Sequence, residues 1–127
     1  MKTGLILFAH GARDPAWAAP FEAVAARVRR QQPAAEVRLA FLEFMSPALP
    51  EAGATLAAAG CTRVAVLPMF LGAGGHVRRD LPLLVDALRA AHPAVDFTLH
   101  GAVGEVDGVI AAMAEVATRT LTPPDAA

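Results

Sequence analysis

Two histidines and a glutamate stand at matching points in three successive units of this chain. His10 closes the apolar run Leu5-Ile6-Leu7-Phe8-Ala9, and Glu43 closes Ala40-Phe41-Leu42. His76 follows the apolar run ending at Phe70 and the only glycine-dense loop, Leu71-Gly72-Ala73-Gly74-Gly75. A neutral imidazole can accept a proton or hold a metal near neutral pH, and a carboxylate beside it offsets the charge of an ion. Two imidazoles and one carboxylate suit a borderline divalent ion such as Co²⁺, Ni²⁺, Fe²⁺ or Zn²⁺ and leave coordination positions open. Singly, each residue has a plainer reading: a hydrogen-bonded histidine, a solvated strand end, a simple turn. Their coincidence at one edge of a sheet is what points to a metal or catalytic site.

Other candidates surround this set. His100 reaches the same edge after a fourth apolar run, and Arg13, Arg78 and Arg79 lie beside it in sequence, placed to bind an anionic substrate. Three helix N-termini expected at this edge favour carboxylates as well. His92 precedes Pro93 at a helix C-terminus and reads as structural. Cys61, the only cysteine, has no partner for an internal disulfide or a thiolate metal site, and reads as a small half-buried residue.

The elements that must position these residues follow from apolar periodicity and punctuation. The run ending at Ala9 is short and wholly apolar, as in a strand buried on both faces. Asp14-Pro15 is a helix start, with Asp14 as N-cap, and Phe21, Val24, Ala25 and Val28 give the helix over 15–31 one apolar face. A second strand is expected over 36–42, and a helix over 47–59 started by Ser46-Pro47 and stopped at Gly60. A third strand over 63–70, with pairing ending at Pro68, leads into the glycine loop over 71–80 and a helix over 81–91 capped by Asp80. A fourth strand over 95–99 precedes a helix over 105–121 with Val106, Val109, Ile110, Met113 and Val116 toward the core. The alternation argues for a three-layer, doubly wound α/β fold with right-handed crossovers and a four-stranded parallel sheet in the order 2-1-3-4. The expected domain covers 1–121, with a frayed tail over 122–127. In such sheets the ligand crevice lies beyond the carboxyl ends of the strands, where His10, Glu43 and His76 fall.

Composition narrows the function classes. Hydrophobic residues make up 55% of the 127 residues and charged ones 18%, which excludes disorder. A net charge of -1 with no basic block leaves no footprint for nucleic acid. The apolar core after Met1-Lys2 stops at His10, too early for a secretory signal, and no stretch approaches the length that spans a bilayer. A cytoplasmic protein is expected.

With those residues in view, a family resemblance can be stated. His10-Gly11-Ala12-Arg13-Asp14-Pro15, Phe41-Leu42-Glu43 with Pro47, and Pro68-Met69-Phe70-Leu71 through Gly75-His76-Val77-Arg78-Arg79-Asp80-Leu81-Pro82 resemble the small sirohydrochlorin chelatases. These are short cobaltochelatases of the anaerobic cobalamin pathway and related sirohaem ferrochelatases. The resemblance covers nearly the whole chain and implies a class II chelatase-like fold. It implies an enzyme that inserts a divalent ion, Co²⁺ first and Ni²⁺ or Fe²⁺ as alternatives, into sirohydrochlorin without ATP or an organic cofactor. It matches His10 and His76 to the metal-binding histidines and Glu43 to the acidic residue that helps bind metal or move protons. Many relatives have serine where this chain has Ala12, which removes a hydroxyl near the site. Longer relatives carry two such domains, so the single copy implies a homodimer with the tetrapyrrole cleft between domains. The rival from another class is a non-catalytic metal or tetrapyrrole carrier with the same ligands. A histidine phosphatase would need arginine where Ala9 stands, and a receiver domain would need an acidic pair after the first strand.

Overall fold

A computed structural model describes residues 1–124. Of the tail expected over 122–127, residues 125–127 lie outside the described residues. Four strands, β1 (Lys2–Ala9), β2 (Glu36–Phe41), β3 (Cys61–Pro68) and β4 (Asp96–Leu99), form a parallel sheet in the order β2-β1-β3-β4. That is the order expected from the alternation of elements. β1 pairs with β2 from Gly4 opposite Glu36 to Ala9 opposite Phe41, and with β3 as far as Phe8 opposite Pro68. Pro68 ends β3, as a residue without an N–H should.

The central position of β1 dictates its composition. Its Ile6 and Phe8 side chains join Val64, Val66 and Phe97 on one face of the sheet, packed against α2 (Leu49–Ala58) and α3 (Gly75–Ala91). Leu7 and Ala9 point the other way, toward α1 (Ala19–Gln31), where Ala25 and Val37 are buried. Both faces are therefore covered over β1, and its last four residues are at most 1% exposed. Burying a large apolar side chain is worth about 1.5–3 kcal/mol, so the run Ile6-Leu7-Phe8 is a main source of stability. α2 and α3 meet at Gly53, where a Cβ would collide with the Leu88 side chain.

Several boundaries differ from expectation. Asp14 does cap, accepting the Ala16 N–H at 3.0 Å, but the first turn, Pro15–Ala18, is a 3-10 helix before α1 begins. Ser46-Pro47 does not start α2. The Pro47 carbonyl accepts the Phe41 N–H at 2.9 Å and Ala48 bridges to Phe41, which holds this segment extended against the end of β2. The helix starts at Leu49, with Pro50 in its first turn. α3 starts at Gly75 rather than after Asp80, with Pro82 inside it. Val77 packs on the core beside Leu81 and Val85, and that apolar face extends the helix backward through residues 76–80. Cys61 is 3% exposed, more buried than expected, and burial pushes its thiol pKa up. The largest departure is α4 (Asp107–Arg119). None of its residues is buried, and Val106, Ile110, Met113 and Val116 are exposed. The 3-10 turn Val103–Glu105 before it is pinned by the Gly104 N–H on the Phe70 carbonyl, 2.9 Å, and α4 leaves the sheet from there.

The amino edge of the sheet is closed by charge. Lys2 Nζ donates to the Ala59 carbonyl and pairs with Glu36 at 3.1 Å, while Arg38 reaches the other Glu36 oxygen at 3.2 Å. The Lys2 hydrogen bond, then its charge, holds the Glu36 carboxyl below the ordinary carboxylate range. A lowered folded-state pKa adds stability that is present above the unfolded-state pKa and lost as the pH falls through the folded one. The difference in melting temperature between the parent and Glu36→Gln is therefore expected to be positive at pH 7 and to shrink toward zero below a pH of about 4. A pH series of thermal melts checks this; a difference that grew on acidification would contradict it.

Candidate active site at the carboxyl edge of the sheet

At the opposite edge, β1 hands its chain to His10. The β1–β2 ladder continues beyond both strands: the Leu42 N–H bonds the Ala9 carbonyl at 2.9 Å, and the Glu43 N–H bonds the His10 carbonyl at 3.0 Å. His10 and Glu43 are thus held side by side through their backbones. Gly11 makes this possible. Its φ of +88° is a left-handed conformation, and a Cβ there would overlap the Glu43 carbonyl oxygen. The His10 side chain is exposed, but its ring rests on Phe70, centroid to centroid 4.4 Å with the planes tilted by 36°. Phe70 is itself buried and touches Phe8 with centroids 6.1 Å apart. The imidazole stands on an aromatic base rooted in the core.

His76 reaches the same edge from a different element. It lies in the first turn of α3 rather than in the glycine loop, its side chain is 90% exposed, and Nδ1 lies 3.8 Å from Asp80 Oδ2 one turn on. No side chain caps the α3 N-terminus, so its first N–H groups and the helix dipole favour an anion there. Arg79 donates to the Gly75 carbonyl at 3.2 Å, and Arg78 reaches the Ala73 carbonyl at 3.3 Å and Glu105 at 3.8 Å. Across the rim, the Arg13 guanidinium lies 5.1 Å from the centroid of the exposed Phe44 ring, within cation–π range. His100 follows β4, its N–H bonded to the Val66 carbonyl at 2.9 Å. Together with Phe70, Val77, Arg78, Leu99 and Glu105 it lines a mostly apolar cleft of about 340 Å³ between β4 and α3.

The topology therefore delivers His10, Glu43, His76, Arg13, Arg78 and Arg79 to one edge. Only His10 and Glu43 are fixed to each other. Among the described residues, no three His, Cys, Asp or Glu side chains are gathered closely enough to hold an ion between them. His76 sits on a helix turn, not on one of three strand ends as expected. Sequence reasoning missed two contributors. Phe70, read as the end of a strand, is the platform under His10. Glu105, read as the start of a helix, faces Arg78 across the cleft. A bulky aromatic just past the proline that ends pairing was the available signal for the first; nothing in the spacing marks the second.

The domain is thus a doubly wound α/β unit with exposed histidines and arginines along the carboxyl edge of its sheet. The chain belongs to the CbiX family, whose model matches residues 4–120. Among curated relatives, the sirohydrochlorin cobaltochelatase of Methanosarcina acetivorans is 32% identical over 81 residues, 64% of this chain and 62% of that protein. The sirohydrochlorin cobaltochelatase of Methanothermobacter thermautotrophicus is 35% identical over 81 residues, 64% of this chain and 56% of that one. The chain thus matches less than two-thirds of the length of these relatives. A putative cobalamin biosynthesis CbiX protein from Marinobacter aquaeolei superposes with a TM-score of 0.82 at 29% identity, covering 94% of this chain and 97% of that one. SirB from Bacillus subtilis, solved with Fe³⁺, shares the fold, with a TM-score of 0.80 at 20% identity over 97% of this chain and 49% of its own.

The backbone lock at Gly11 is directly testable. Gly11→Ala is expected to destabilise the fold by about 2 kcal/mol or more, from the positive φ and the overlap with Glu43. Denaturant melts would show it. A variant as stable as the parent would mean that residues 42–44 are not held against His10 as described.

Proposed function

We propose that this chain is a sirohydrochlorin chelatase that inserts a divalent ion, Co²⁺ foremost, into the macrocycle without ATP or an organic cofactor. The observation that carries this reading is the His10–Glu43 pair, locked by backbone at the mouth of the sheet in a chain of the CbiX family. The names of the curated relatives, sirohydrochlorin cobaltochelatase, support the reaction and the metal.

Insertion requires the ion to shed water and the macrocycle to lose its pyrrole N–H protons. In this reading His10 and His76 present the metal, since imidazole nitrogens suit Co²⁺, Ni²⁺ and Fe²⁺ alike. Glu43, beside His10, offsets the charge of the ion and assists proton removal. The carboxylates of sirohydrochlorin meet Arg13, Arg78, Arg79 and the N-terminus of α3. Two copies of the chain form a homodimer that supplies the walls of the tetrapyrrole cleft. The whole of 1–121 acts as one domain. No helix among the described residues is long and apolar enough to cross a membrane, in keeping with work in the cytoplasm on a water-soluble substrate. No nucleic acid takes part.

Purified protein mixed with sirohydrochlorin and Co²⁺, Ni²⁺ or Fe²⁺ is expected to speed formation of the metallated product, followed by absorbance. His10→Ala and His76→Ala are each expected to lower the initial rate by at least about 100-fold. Arg78→Ala is expected to raise KM several-fold with little change in kcat. Undiminished rates in both histidine variants would overturn the site assignment. Binding of ion and macrocycle with no acceleration would make the protein a carrier instead.

A further inference from the structure

Phe44 stands one residue past Glu43 in a conformation that its type disfavours. Its φ is +66°, in the left-handed region, and among the described residues no other non-glycine residue has a positive φ. Glycine, asparagine and aspartate tolerate that region, whereas a bulky aromatic is an outlier in it. Such strain persists only where the surrounding structure imposes it, and it gathers at functional sites.

The surroundings do impose it. The Glu43 N–H is tied to the His10 carbonyl at 3.0 Å, and the Glu43 carbonyl lies against Gly11, where a Cβ would overlap it. By Pro47 the chain is back beside Phe41, with the Phe41 N–H on the Pro47 carbonyl at 2.9 Å. The backbone has to reverse between those anchors, and Phe44 turns it.

Nothing in the fold asks for an aromatic ring at this turn. The ring is 59% exposed and belongs to none of the apolar clusters, while its neighbour Met45 packs on Ala9, Ala18 and Phe41. What lies on the Phe44 ring is the Arg13 guanidinium, 5.1 Å from the centroid, a cation–π contact. A guanidinium placed over a ring face keeps in-plane N–H donors for an acceptor at its edge. The turn therefore presents an exposed aromatic surface and a cation as one unit, directly beside Glu43.

We propose that Phe44 is a substrate-binding residue whose ring stacks on the flat conjugated macrocycle, with Arg13 held over it to meet a carboxylate at the macrocycle border. The left-handed backbone is the strain that turns the ring out to the rim. This rests on the chelatase reading and deepens it, since it names the side chain that takes the plane of the substrate rather than its charges or its metal.

Strain and binding can be separated at this one position. Phe44→Gly removes the ring and the strain together, so its melting midpoint is expected to equal or exceed that of the parent. Phe44→Ala removes the ring but keeps a Cβ at positive φ, and is expected to melt below Phe44→Gly. Both are expected to bind sirohydrochlorin at least about 5-fold more weakly in a metal-free titration followed by absorbance, and Phe44→Trp to bind at least as tightly as the parent. Undiminished binding in Phe44→Gly would overturn the proposal. So would a Phe44→Gly variant that melts well below the parent, which would make the ring a packing residue, and so would equal melting of the Ala and Gly variants, which would mean that residue 44 is not left-handed. A parent that binds the macrocycle through Phe44 yet inserts no metal would leave this inference standing and remove only the chelatase reading. Insertion by Phe44→Gly with the KM of the parent would do the reverse.

Discussion

β1 is bonded along both edges, to β2 and to β3, and covered on both faces by helices. A strand in that position has no room for a polar side chain, because any such group would be buried without a partner. Among the described residues no polar or charged side chain is buried at all. Polar chemistry is therefore pushed to the first residue past the strand, which is His10. The hydrogen-bond ladder then runs one step beyond the apolar run and takes Glu43 with it. Gly11 meets the cost of that extra step, since only a residue without a Cβ can stand against the Glu43 carbonyl.

The two ends of the sheet divide the remaining polar residues between them. At the amino edge the charges are matched and local: Lys2, Glu36 and Arg38 satisfy one another and a helix carbonyl. Such a cluster holds elements together and asks nothing of a ligand. At the carboxyl edge Arg13 is stacked on an aromatic ring, Arg79 reaches a backbone carbonyl, and Arg78 approaches Glu105 only at 3.8 Å. Guanidinium groups with few strong anionic partners, next to an uncapped helix N-terminus, keep their capacity for an incoming carboxylate.

Where the chain runs strictly apolar, sequence alone was enough: strand order, the edge at which His10 falls and the end of pairing at Pro68 all follow from run length and punctuation. Capping cues misplaced the helix starts. Ser46-Pro47 imitates a cap, but Phe41 takes the Pro47 carbonyl, and Asp80 suggested a late start for α3 that packing of Val77 overrides. Periodicity showed correctly that α4 is amphipathic, yet a period says nothing about which surface receives the stripe. Side-chain convergence was the least legible feature. The relation of His10 to Glu43 depends on a positive φ and a ladder step, and that of His76 on where a helix begins.

The rim also exposes apolar residues that a folded chain would ordinarily cover. Leu42, Phe44 and Leu71 follow β2 and β3 and are 39%, 59% and 72% exposed. Single exposed apolar side chains need no explanation, but several at one edge mark a binding surface. Arg13, Arg78 and Arg79 belong to the same edge, so exposed apolar area and positive charge occur there together. A tetrapyrrole such as sirohydrochlorin offers a matching combination, a flat apolar ring bordered by carboxylates. On the proposed reading, the ring buries Phe44 and its neighbours while the margin engages the arginines, and the histidines are left facing the pyrrole nitrogens. On the same reading the rim stays open because a face broad enough for a macrocycle cannot be closed over by the chain that binds it.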